Sequence, residues 1–101
     1  MRSAMAKHIL VKTKPEAERL KQRLANGEDF GKLARKYSTC PSRKRGGDLG
    51  EIYPDQLVKA VENVIFKQAL NRVHGPVKSQ FGFHLVVVYF RSEKGSGLDI
   101  R

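Results

Sequence analysis

The chain of 101 residues carries 20 Lys and Arg against 10 Asp and Glu, a formal net charge of +10, and 40% of it is hydrophobic. That length holds one domain with one modest core, and that composition excludes a disordered chain. No apolar run approaches the roughly 20 residues of a membrane-spanning helix, and a single cysteine excludes an internal disulfide and the paired-cysteine zinc sites.

Residues 1–5 and 92–101, the latter closing on GSGLDIR, are expected to lie outside the fold as disordered or vector-derived ends. KHILVK (Lys7 to Lys12) is short, β-branched and apolar at its centre, and predicts a strand. Pro15 suits the first turn of a helix, where Ala17, Leu20, Leu24 and Ala25 recur at helical spacing and Gly27 marks the stop. Asp29 caps a second helix with Phe30, Leu33, Ala34 and Tyr37 as its buried stripe. STCPSRKRGGDLG (Ser38 to Gly50) breaks all periodicity and predicts a loop, running into a short strand near Asp48 to Tyr53. Pro54 and Asp55 open a third helix, whose apolar positions are Leu57, Val58, Val61, Val64 and Ile65. After a connection ending at Gly75-Pro76, Val77 to Ser79 reads as a short strand, QFG as a tight turn and Phe83 to Arg91 as the last strand. The order is an α+β pattern, and the short turn makes the last two strands antiparallel.

The last strand is apolar on both faces, which predicts a central strand covered on both sides. Alternation puts His84 on one face with Val86, Val88 and Phe90. A core strand has no ordinary use for a side chain that titrates near neutral pH and needs partners on both ring nitrogens. His8 interrupts the first strand in the same way, and Cys40 ends the second helix. One reading is a nucleophilic cysteine with a histidine base. The other is a buried thiol acting as a small hydrophobe, beside two satisfied core histidines. If the two strands are neighbours, the imidazoles can hydrogen-bond to each other. Cys40, His8, His74 and His84 match no zinc spacing, so no metal is expected. The basic glycine loop Ser42 to Asp48 lacks the P-loop order of strand, glycines and helix.

AKHILVK, GEDFGKLARKYSTCPSRKRGGDLGEI and GPVKSQFGFHLVVV together resemble the parvulin family of peptidyl-prolyl cis-trans isomerases, in particular the small single-domain bacterial parvulins. The resemblance runs from about Ala6 to Arg91, making residues 6–91 the expected isomerase domain. It implies a four-stranded antiparallel sheet surrounded by about four helices, in a parvulin- or FKBP-like arrangement. It implies that His8 and His84 are the family's two core histidines, hydrogen-bonded beneath the active site. Ser79 would be the hydroxyl of that network, and Cys40 the active-site cysteine. Leu57, Val61 and Phe81 would line a proline pocket, with Leu49 and Phe83 beside them. The implied activity is isomerisation of X-Pro bonds in unfolded or flexible polypeptides, without covalent catalysis, metal or cofactor.

Two departures stand out. The family usually has Met and Phe where this chain has Leu57 and Val61, so the pocket should be shallower. The connection between the first strand and first helix is only Thr13-Lys14-Pro15, and Trp is absent. Phosphate-directed parvulins carry a basic loop at that connection and a separate Trp-rich domain, so the resemblance does not extend to them and phospho-specificity is not expected. A cytoplasmic monomer is expected, from the lone cysteine and from an N-terminus, MRSAMAKHIL, without the apolar run of a signal peptide. Two other readings stay open: a basic nucleic-acid-binding module, and a peptide-binding chaperone with the same pocket but no turnover.

Overall fold

The computed structural model describes residues 2–92. Its elements run β1 (Ser3–Val11), α1 (Lys14–Ala25), α2 (Phe30–Tyr37), a 3₁₀ turn (Pro41–Arg45), β2 (Asp48–Ile52), α3 (Lys59–Lys67), β3 (His74–Ser79) and β4 (Gly82–Ser92). The strands form one sheet in the order β2-β1-β4-β3, and every neighbouring pair is antiparallel. This is the expected α+β sheet, with three α-helices and a 3₁₀ turn in place of about four helices.

Local chemistry places the first two helices. Thr13 accepts a hydrogen bond from the Glu16 N–H through Oγ1 at 3.3 Å, Pro15 occupies the first turn, and Asn26 with Gly27 ends α1. Asp29 caps α2 by accepting from the Lys32 N–H at 2.9 Å. The period-2 alternation of β4 then sorts side chains between two cores. On one face Val86 and Val88 pack with Ala4, Ala6, Ile52 and the α3 residues Val61, Ile65 and Phe66. On the other, Leu85 packs with Ile9, Val11, Ala17, Leu20, Leu33 and Ala34 under α1 and α2. The interior strand covered on both sides is therefore observed, although Phe90 at its far end is half exposed.

Three expectations shift. The first strand begins at Ser3, within the segment expected to lie outside the fold, and Ala4 and Ala6 are fully buried. SAMA has weak strand propensity, but β1 is flanked by both β2 and β4, and that pairing overrides local preference. Ser92, expected in the tail, pairs with Ser3 at the end of β4, and residues 93–101 lie outside the described residues. The third helix starts at Lys59, not at Pro54 and Asp55. Asp55 has a φ of 72°, a left-handed conformation no helix accepts, and its N–H donates to the Glu62 carboxylate at 2.9 Å. Leu57 therefore precedes the helix, where the spacing had put it inside.

Gly82 opens β4 at a φ of 136°, and a Cβ there would run into the carbonyl oxygen of Val11. Both the backbone conformation and the close approach demand glycine. Gly82→Ala is expected to cost about 2–3 kcal/mol in urea denaturation, with the slope against denaturant unchanged.

Candidate active site

The site is organised where β1 outruns β2. Pairing of β1 with β2 ends at Lys7. Beyond it, the segment after α2 takes the free edge: the His8 N–H donates to the Gly47 carbonyl at 2.9 Å and the Thr39 N–H to the Leu10 carbonyl at 2.8 Å. The buried Ser38 hydroxyl accepts from the Leu10 N–H at 3.1 Å and from the Cys40 N–H at 3.3 Å. Gly47 allows this docking, since a Cβ there would stand 2.5 Å from the His8 carbonyl oxygen at a φ of 85°. The result holds Thr39, Cys40 and Pro41 beside the even-numbered face of β1.

On that face Leu10 lies opposite His84, and His8 opposite Val86, so the histidines are diagonal neighbours. Their Nδ1 atoms are 3.2 Å apart, and the rings stack with centroids separated by 5.3 Å. Beyond them the Ser79 Oγ lies 2.6 Å from His84 Nε2 and accepts from the Phe81 N–H at 3.1 Å. An Nδ1-to-Nδ1 hydrogen bond needs one protonated nitrogen and one lone pair. At most one ring can therefore be cationic, because protonating both would set two N–H groups against each other. Burial, and then the charge of His84, push His8 down to about 4, and burial lowers His84 as well. His8 Nε2 is buried with no hydrogen-bond partner among the described residues.

Above the pair opens a cavity of about 670 Å³. His8 and His84 form its floor, and Leu10, Cys40, Leu49, Leu57, Val61 and Phe81 are among its walls. Among the described residues, no Asp, Glu, Lys or Arg lines it. Leu49 is held between anchored neighbours: the Tyr89 hydroxyl donates to the Asp48 carboxylate at 3.0 Å, which also accepts from the Gly50 N–H at 2.9 Å. Gln56 Oε1 accepts from the Tyr53 N–H at 2.8 Å and braces the turn that presents Leu57.

The structure thus brings together His8, His84 and Ser79 as a hydrogen-bonded chain, and Cys40, Leu49, Leu57, Val61 and Phe81 around the cavity. It does not bring Phe83. That ring packs beneath α1 and α2 on the opposite face, because it is one residue from His84 and side chains alternate. Val61 is corrected in part: it touches the cavity, but at 2% exposure it is a core residue against Ala4, Ile65 and Val86 and not the wall of a surface groove. Leu10, Ser38 and Gln56 were missed. Leu10 was legible as the i+2 neighbour of His8, whereas the bonds of Ser38 and Gln56 depend on loop conformation. Among the described residues no group of three or more His, Cys, Asp or Glu side chains is placed to hold a metal ion.

Residues 6–89 match the family model of the PPIC-type PPIASE domain, or rotamase. The foldase protein PrsA of Geobacillus sp. (strain WCH70) is 44% identical over 90 residues, covering 88% of this chain and 33% of that protein. The crystal structure of PrsA from Bacillus subtilis superposes with a TM-score of 0.82 at 38% identity, covering 86% of this chain and 34% of the other. The solution structure of NmPin, the parvuline of Nitrosopumilus maritimus, superposes with a TM-score of 0.80 at 36% identity, covering 88% and 97%. The chain spans about a third of the length of the curated relatives it matches.

Two outcomes follow from this geometry. The lowered histidine pKa values give stability that is complete above about pH 6.5, where unfolded histidine is neutral, and that falls as the pH drops toward 4 and the unfolded state takes up the protons. For His8 alone the loss is on the order of 3 kcal/mol, and His8→Asn should flatten the slope of unfolding free energy against pH between 6.5 and 5. Val61→Phe overpacks the core beside α3 and is expected to cost about 1–3 kcal/mol, read from its urea midpoint.

The match over residues 6–89, the shared sheet and the histidine pair under the cavity agree: the chain belongs to the parvulin-type family of PPIC-type PPIASE (rotamase) domains.

Proposed function

We propose that this chain catalyses cis-trans isomerisation of X-Pro bonds in unfolded or flexible polypeptides, with the proline ring in the cavity above His8 and His84. The observation that carries the proposal is a largely apolar cavity of about 670 Å³, lined among the described residues by no charged side chain, over a buried imidazole pair whose pKa values burial lowers. Family membership and the similarity to foldase proteins support it.

The barrier to rotation, ~20 kcal/mol, is the lost resonance of the amide C–N bond. Lowering it requires no bond to be made. A planar X-Pro amide is charge-separated and well solvated, whereas the twisted amide is less polar, with a pyramidal nitrogen. A site that strips water from the carbonyl and packs the ring against Leu49, Leu57 and Phe81 binds the twisted form better, and that difference is catalysis. One side of the bond is gripped while the other turns. The neutral histidines hold the floor rigid through Ser79 and do not act as a base. Cys40 contributes packing and local polarity at the rotating carbonyl. Its side chain forms no bond to either imidazole among the described hydrogen bonds, so the pairing that activates a thiol nucleophile is missing.

No phosphate is required on this reading, since no cationic side chain among the described residues lines the cavity. We likewise propose a monomer in a reducing cytoplasm, a compartment that the single cysteine, Cys40, suits.

Exchange NMR on an unphosphorylated X-Pro peptide tests the proposal. Line broadening at a tenth-stoichiometric amount of protein is expected, and unchanged exchange rates would reject it. Cys40→Ser should retain activity within about tenfold, since one contact is altered and no covalent step is lost. Complete loss in a folded variant, or a trapped covalent adduct on the thiol, would count against the non-covalent role.

A further inference from the structure

The cavity is uncharged, but one side of its rim is not. Cys40 and Pro41 line it, and the 3₁₀ turn that Pro41 begins continues as Arg43, Lys44 and Arg45, all exposed. Arg35 of α2 adds a fourth positive charge, its guanidinium placed so that a Cβ on Gly46 would lie 3.4 Å away. The ion pairs among the described residues, Arg23 with Glu28 and Lys59 with Asp55 and Glu62, involve none of these four. The carboxylates nearest in sequence are already engaged: Asp29 caps α2, and Asp48 accepts from Tyr89 and the Gly50 N–H. The polar side chains on other parts of the rim, Gln56 and Gln80, are neutral.

A charge cluster that stabilises the fold would have a carboxylate among its neighbours. Asp29 stands beside Arg35, and the Arg45 Nε–H donates to the Asp48 carbonyl at 3.4 Å, but no ion pair among the described residues engages Arg43, Lys44 or Arg45, and the turn borders the cavity where a polypeptide leaving past Cys40 would run. The α-carbons of Arg43 to Arg45 lie about 4–8 Å along the turn from Pro41, at roughly 2 Å of rise per residue. An extended peptide covers that distance in about one to three residues.

Resting on the isomerase reading of the cavity, we infer that the 3₁₀ turn is an electrostatic subsite for acidic polypeptide. Arg43, Lys44 and Arg45 draw in Asp and Glu side chains within three positions of the proline. The cavity takes the proline ring irrespective of charge, and the turn ranks the sequences around it. None of the three basic side chains lines the cavity, so they act through space, and the preference is graded and sensitive to salt.

The test compares peptides of one length that carry either Glu or Lys at the three positions on each side of Ala-Pro, followed by exchange NMR. At low ionic strength the Glu peptide should show kcat/KM about five- to tenfold above the Lys peptide, and near 0.5 M salt the difference should vanish. The double variant R43E/K44E should abolish or invert the preference while leaving an uncharged Ala-flanked peptide unaffected. K14E/R19E changes the net charge equally on α1, across the sheet from the cavity, and should keep the preference. Equal rates for the Glu and Lys peptides, or equal loss in both double variants, would overturn the subsite while leaving the isomerase reading intact. If no peptide is turned over, the isomerase reading fails. The subsite is then judged by amide shifts at residues 42–46 on titrating the Glu peptide, and their absence rejects it. A single-stranded oligonucleotide that displaces the Glu peptide and binds more tightly would reassign the turn to nucleic acid.

Discussion

The site depends on the register between β1 and β4. Leu10 lies opposite His84 and His8 opposite Val86, so both imidazoles emerge from one face close enough for a 3.2 Å contact between Nδ1 atoms. A slip of one residue would send one ring to the face covered by α1 and α2, where Phe83 and Leu85 pack, and strand the other without a partner. The register is enforced by burial on both faces: Val86 and Val88 belong under α3, and Leu85 belongs under α1 and α2. The hydrophobic cores thus position the polar pair, and the pair in turn suits only one alignment of the two central strands.

A second constraint is the unequal length of β1 and β2. The loop after α2 occupies the edge that β2 leaves open, and it is built for that task. Ser38 satisfies two backbone donors, and Gly47 lets the chain approach the His8 carbonyl. Cys40 and the basic 3₁₀ turn reach the cavity as a consequence of this edge pairing. The segment that sequence patterning reads as featureless is the one that joins the imidazole floor to the charged rim.

The electrostatics divide by depth. At the floor, desolvation keeps two titratable groups neutral. Among the described residues the walls carry no formal charge. Positive charge is confined to the rim, where water supports it at little cost. A substrate would meet these layers in reverse order, with charge acting at range and apolar contact at the amide.

Much of the fold was legible in the residues. The capped starts of α1 and α2, the buried stripes of both helices and the alternation of β4 are local patterns, each set by chemistry within a few residues. The resemblance carried by three motifs pointed to the family, and the pairing of His8 with His84 was conditional only on β1 and β4 being neighbours. Tertiary structure decided the rest. Strand pairing drew Ser3 to Met5 into the sheet against their weak local preference. The left-handed Asp55 delayed α3 until Lys59, so Leu57 reaches the cavity from a turn. Packing made Val61 a core residue that only touches the cavity, and alternation turned Phe83 away from it. Periodicity reports which side chains share a face, but which face meets which helix, and where an open edge is filled, is set by contacts between residues far apart in the chain.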